Sequence, residues 1–180
     1  MADPFATATE LCEFTGMPIP DDLSRLQSQL QMASAIMRAH CHQTLSPVVG
    51  DVVTVYPTVS TLLSLPERPV TAVSQVLVDG VATTDYYIVP RGIRSGSVAA
   101  PGSAWIRGAT VTYSHGYAET TDTYALLRQM CIEMVDRAVR SPEAPSSFEP
   151  SEETVGWRSR LFLDEQQKMQ LKDLKAVRIG

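Results

Sequence analysis

The sequence predicts an α+β fold, a small helical bundle with an antiparallel β region inserted into it. Three observations carry this. Apolar residues recur every three or four positions over about 22–42 and 122–140, the helical period. Between 51 and 115 the pattern changes to short β-branched runs broken by proline and glycine. Beyond 140 periodicity is lost in an extended arm over 141–162, and it returns in a last helix over 164–177. The chain has 180 residues, enough for one domain plus an extension, and buries enough surface to need no metal or disulfide.

The first helix is announced by Thr7-Ala8-Thr9-Glu10, a T-x-x-E capping box, and ends near Gly16. Met17-Pro18-Ile19-Pro20 breaks the chain, and Asp21 or Asp22 caps the next helix. Its stripe is Leu23, Leu26, Leu30, Ala33 and Met37, which requires a packing partner.

In the β region, Val52 to Tyr56, Thr61 to Leu65, Val73 to Val78, Tyr86 to Val89 and Ala109 to Tyr113 read as strands of one small sheet. Asp79-Gly80 is a strong two-residue hairpin signal. Pro90 to Gly108 carries four glycines and reads as a long loop or irregular hairpin, with Trp105 as its anchor.

The second long helix shows an apolar face of Leu127, Met130, Cys131, Met134, Val135 and Ala138. After it, Ser141 to Pro150 holds three prolines and three serines in ten residues, a composition that excludes a helix interior. From Ser141 to Glu165 six acids face two bases, a local charge of −4. Phe148, Val155, Trp157, Leu161 and Phe162 supply apolar anchors within it. Such a segment is expected to be a strap that docks on another subunit or another protein, rather than a loop wandering over its own domain. Domain boundaries follow: a core over 1–140, and an arm with its terminal helix over 141–180. Asp164 with Gln167 opens that helix as a capping-box variant. Leu171, Leu174 and Val177 line one side, and Lys168, Lys172 and Lys175 another at i, i+4, i+7.

Composition narrows the function. Fifteen basic and twenty acidic side chains give a net charge of −5, against a general nucleic-acid binder. No apolar run approaches ~18 residues, so no membrane span is expected, and the first residues lack a signal-peptide pattern. Cys12, Cys41 and Cys131 are odd in number and form no C-x-x-C pair, as expected of reduced buried thiols.

Candidate chemistry is sparse. His40-Cys41-His42 offers ligand types, but alternate helical residues project about 200° apart and cannot converge on one metal. A helix end complemented by His is the simpler reading. Ser114-His115 places a Ser beside a His, yet neighbours on a strand point to opposite faces; a strand-ending turn at Gly116 accounts for them. Asp21-Asp22 and Glu152-Glu153 read as caps and surface, and the glycines at 92, 96, 102 and 108 fit no phosphate loop. No catalytic, cofactor or metal residue is assigned, and no enzymatic activity is expected. Three lysines alone would give a salt slope of about −2.7, too shallow for tight DNA binding by a monomer.

Leu65-Pro66-Glu67-Arg68-Pro69-Val70-Thr71-Ala72-Val73 leads into Val76-Leu77-Val78-Asp79-Gly80-Val81, then Asp85-Tyr86, Trp105 and Val111-Thr112-Tyr113-Ser114-His115-Gly116-Tyr117. In that order the motifs resemble the head–tail connector (adaptor) proteins of long-tailed phages, particularly those of actinobacterial hosts. Thr7 to Gly16 is similar to the family's opening helix. Ser151 to Trp157, followed by Leu163-Asp164-Glu165, is similar to its late stretch, although Glu153-Thr154 stands where the family more often has Ser. The resemblance implies a structural virion protein, without cofactor, at the head–tail junction and assembled in the host cytoplasm. It would form a dodecameric ring under the portal protein and present a platform to the stopper, with genomic DNA passing through the lumen unbound. Phe148, Trp157, Arg158, Arg160, Leu161, Phe162, Lys168, Lys172 and Lys175 are the expected contacts with portal or the adjacent subunit.

Rival readings predict different observations. A phage DNA-binding or packaging accessory using Lys168, Lys172, Lys175 and Arg178 would bind DNA with steep salt dependence. A stopper or tail terminator would be mainly β. A small hydrolase would lose activity, but not its fold, on substitution of His115 or Cys41.

Overall fold

A computed structural model of the chain describes residues 3–56, 59–97, 102–140 and 161–175. They form an α+β fold of two compact units, one helical and one β.

The helical unit contains α1 (Ala8–Thr15), α2 (Ser24–Cys41), α3 (Asp122–Arg140) and α4 (Glu165–Gln170), then a 3₁₀ turn over Lys172–Leu174. The capping box that opens α1 is complete: the Thr7 amide donates to Glu10 Oε2 at 2.7 Å, and the Glu10 amide to Thr7 Oγ1 at 3.2 Å. Gly16 closes the helix in the left-handed conformation, φ 67°. Asp22 stands before α2, its Oδ1 accepting the Ser24 amide at 2.8 Å. Leu30, Ala33 and Met37 of α2 are buried with Leu127, Met130, Cys131, Met134 and Val135 of α3, as their periodicity dictates. Phe5, ahead of α1, was not foreseen in this core. It is buried, edge-on to Tyr124 at 5.7 Å, with the Arg38 guanidinium 4.4 Å from its ring centroid.

One expectation about the C-terminal part changes. The last helix stops at Gln170 and not at 177: its cap residue Leu171 lies at φ −78°, ψ −8°, and the chain tightens into the 3₁₀ turn. The helical unit takes in described residues beyond Arg140. Leu161, Leu163 and Leu171 are buried, and Cys41 Sγ on α2 lies 3.9 Å from the Leu171 carbonyl as its donor. Of the proposed arm, residues 141–160 lie outside the described residues.

The β unit contains β1 (Val48–Val55), β2 (Leu62–Ser64), β3 (Val70–Val78), β4 (Val81–Ala82), β5 (Tyr86–Val89), β6 (Gly92–Ser95) and β7 (Ala109–His115). These make two antiparallel sheets instead of one, ordered β1-β7-β3-β4 and β2-β6-β5. The second sheet exists because β6 occupies part of the stretch read as loop. A Cβ on Gly92 (φ +153°) would stand 2.1 Å from the Leu63 carbonyl oxygen, so the glycine permits β6 to approach β2. Asp79 (φ 50°) and Gly80 (φ 81°) form the tight turn that pairs Val78 with Val81. The shared core includes Val55, Leu63, Leu65, Val76, Ile93, Val111 and Tyr113. Trp105 anchors its segment as expected, its indole N–H donating to the Thr61 carbonyl at 3.1 Å.

Candidate partner-binding surface

The residues singled out as partner contacts fall into three groups. Phe148, Trp157, Arg158 and Arg160 lie outside the described residues. Leu161 is buried at 7% exposure, so its side chain belongs to the interior. Phe162, Lys168 and Lys172 remain on the surface of the helical unit, whereas Lys175 groups with the β unit. Only Lys168 lies within α4, which corrects the three-lysine helical stripe: a helix of six residues is too short to align i, i+4 and i+7.

Arg137, in the last turn of α3, organises what is left. Its guanidinium lies 5.3 Å from the Phe162 ring centroid, and its Nη2 donates to Asp164 Oδ2 at 3.1 Å and Gln167 Oε1 at 3.4 Å. Asp164 in turn caps α4, accepting the Gln167 amide at 2.7 Å, while Gln167 Oε1 accepts the Asp164 amide at 3.2 Å. The arginine thereby fixes the start of α4 and backs one face of Phe162, which is still 51% exposed. Lys168 pairs with Glu165 at 2.6 Å, and Met169 projects outward at 73% exposure. A cleft of about 270 Å³ separates α4 from α3, lined by Gln129, Glu133, Asp164, Gln166, Gln167 and Gln170. The result is a polar surface carrying two exposed apolar side chains, Phe162 and Met169.

Sequence reasoning assigned Arg137 no such role. Its signal was only a base in the last turn of a helix, where complementation of the helix dipole is the usual explanation.

Cys41 is buried and His42 turns out of α2 at φ 55°. Among the described residues no group of three or more His, Cys, Asp or Glu side chains is positioned to hold a metal ion. His115 is 2% exposed, and its Nε2 lies 3.3 Å from Asp51 Oδ2 on β1. That carboxylate partner was not anticipated, because the β1–β7 register alone brings Asp51 beside the end of β7. Ser114 faces the other side of the sheet, as strand alternation requires, so serine, histidine and aspartate do not converge. Gly116 ends the strand at φ 93°, and a Cβ there would lie 2.1 Å from the Ser46 carbonyl oxygen.

Residues of the Leu65–Tyr117 stretch hold the β unit together. Glu67 Oε2 accepts the Thr44 amide at 2.8 Å, and Gln43 Oε1 accepts the Arg68 amide at 3.2 Å. The Gly116 amide donates to the Pro69 carbonyl at 3.0 Å. Leu65, Val70, Val76, Trp105, Val111 and Tyr113 are buried.

No protein-family model matches the sequence, and no curated protein matches it. Among solved structures the chain is similar to one from the neck of an empty GTA particle computed with C6 symmetry. The identity is 15% and the TM-score 0.48, over 100% of this chain and 95% of that one. A chain from the virion of a native gene transfer agent (GTA) particle gives 14% and 0.48, over 100% and 95%. One from the neck of a native GTA particle computed with C12 symmetry gives 15% and 0.48, over 100% and 94%.

Proposed function

We propose that this chain is a non-enzymatic structural component of a phage-type virion neck, a head-to-tail adaptor that forms a ring, dodecameric by family resemblance, beneath the portal. The observation that carries the reading is the ordered set of connector-like motifs from Leu65 to Tyr117, whose residues occupy core, turn and register positions of the β unit. A resemblance confined to exposed positions would say little. One placed on residues that determine strand order and turns is a resemblance in architecture. The ring would extend the DNA channel toward the stopper, and a net charge of −5 suits a conduit that does not retain phosphates.

Phe162, Lys168, Lys172 and Lys175 are the described residues proposed to meet portal or a neighbouring subunit, together with Phe148, Trp157, Arg158 and Arg160 outside them. The exposed Phe162 ring supplies the apolar anchor, and Arg137 holds it in place.

The test is the solution mass of the purified chain across a concentration series, with purified portal as the second component. A discrete ring, or a stoichiometric complex on portal, is expected. Phe162→Ala should weaken portal binding by about tenfold without changing the far-ultraviolet spectrum. A chain that stays monomeric and ignores portal overturns the proposal.

A further inference from the structure

We infer that neighbouring copies join through the two opposite edges of the four-stranded sheet, the β1 edge of one copy against the β4 edge of the next. This rests on the ring reading and specifies its subunit contact. Among the described residues the strand order β1-β7-β3-β4 leaves β1 and β4 each paired on one side only. Long unpaired edges are normally blunted by lysine, proline or cover. β1 spans eight residues with one charge, Asp51, and exposes Val49 at 87% and Val52 at 61%.

Main-chain direction supports the edge as a docking element. Alternation in an antiparallel ladder turns every second residue of β1 outward. Val52 is one of these: its amide donates to Asp51 Oδ1 at 2.9 Å instead of to β7. Thr54, two residues on, presents its N–H and C=O on the same free side. Its hydroxyl meets that of Thr110 at 3.0 Å, and ladder alternation turns its amide toward the side an incoming strand would take. On β4 the amide of Thr83 bonds the Val76 carbonyl, so Ala82 before it turns outward.

Beside β4 lies a groove of about 440 Å³, lined by Val81, Ala82, Trp105, Ile106, Arg107 and Asp85 among others. Val81 and Ile106 are 70% and 72% exposed along it, and Arg107 is already paired with Asp79. The two edges therefore match in character: each is a strand edge with exposed aliphatic side chains and no uncompensated cation. They sit on opposite sides of one sheet, so pairing them is heterologous. Such a contact repeats from copy to copy and closes into a ring when the rotation allows. Pairing β1 with β1 would be isologous and would stop at a dimer.

The test uses the full chain carrying Thr54→Cys and Ala82→Cys together, oxidised in solution at increasing concentration. Directly opposite strand residues bring Cβ atoms about 4.5–5.5 Å apart, close enough for a disulfide to form with small adjustment. The three native cysteines are buried and serve as the unsubstituted background. A ladder of covalent dimers, trimers and higher species is expected from the double variant, lost on reduction, with monomer from each single variant. Thr54→Pro, which removes an outward amide, should raise the concentration for half-assembly about tenfold relative to Thr54→Val, which loses the same hydroxyl contact with Thr110 but keeps the amide. A ladder that ends at dimer and forms equally with Thr54→Cys alone overturns the proposal in favour of isologous pairing. If the wild-type chain assembles by mass and neither crosslinking nor Thr54→Pro alters it, the edge contact is wrong while the ring stands. A wild-type chain that never assembles overturns both.

Discussion

Ser34 and Cys131 meet in the interior of the helical unit, Oγ to Sγ at 3.3 Å, where α2 crosses α3. The same Ser34 hydroxyl accepts the Phe5 amide at 3.0 Å, so one wholly buried side chain ties the segment before α1 to both long helices. Removing it leaves the buried Phe5 amide only the Cys131 sulfur, a weak acceptor, which costs up to about 1–3 kcal/mol. Ser34→Ala should therefore lower the unfolding free energy by that amount, read as a lower denaturant midpoint at unchanged m. An unchanged midpoint would mean that the Phe5 amide finds another acceptor.

Cys131 should also be chemically quiet. Burial pushes its thiol pKa up, and the opposing Ser34 hydrogen bond and Arg38 charge are smaller influences. Only the thiolate reacts with alkylating reagents, so inaccessibility and a raised pKa act together. Iodoacetamide at pH 8 should label Cys131 on the order of a hundredfold more slowly in the folded chain than in urea. Equal rates would place the thiol at the surface.

Tyr113 gives a pH signature of the β unit. Burial, reinforced by the Asp51 and Glu67 carboxylates and opposed by the Glu67 main chain, pushes its phenol from 10.0 up to about 12. Between these values the folded chain keeps a proton that the unfolded chain releases, so stability is full below pH 10 and falls as the pH rises toward 12. Tyr113→Phe should flatten that part of the stability profile. An absorbance titration of the wild type should contain a late-ionising tyrosine that is missing from Tyr113→Phe.

Much of this fold was legible because its signals are local. The boundaries of α3, the capping boxes at Thr7 and Asp164 and the Asp79-Gly80 turn depend on residues four or fewer apart. What escaped depends on distance. Gly92 looked like a loop residue until the Leu63 carbonyl stood against it, and Asp51 met His115 only through strand register. At the candidate surface Phe162 is exposed while Leu161 beside it is interior, and neither aromatic content nor charge could separate them.

Glycine positions separate two kinds of constraint. At Gly116 a side chain meets the Ser46 carbonyl oxygen at 2.1 Å and the backbone is left-handed, whereas Gly16 is left-handed with nothing within 4 Å. Gly16→Ala should cost about 1 kcal/mol, the conformational penalty alone. Gly116→Ala adds a main-chain clash, and should cost more than about 3 kcal/mol or prevent folding of the β unit. Similar melting temperatures for the two variants would contradict the close approach at Ser46.

Truncation after Arg140 should disrupt the helical unit. The deletion removes Leu161, Leu163 and Leu171, each 7% exposed or less. Burying a leucine contributes about 1.5–3 kcal/mol, so the three together contribute roughly 5–9 kcal/mol, comparable with the whole stability of a typical domain. It also removes the Asp164 and Gln167 acceptors of Arg137, although that pair is half-exposed and adds only about 0–1 kcal/mol. The shortened chain should lose cooperative unfolding of its helices by circular dichroism. Leu171→Ala in the full chain, which deletes one buried side chain and keeps everything else, should cost about 2–5 kcal/mol. If both variants melt like the wild type, the C-terminal segment is an appendage after all, free to serve entirely as a docking strap.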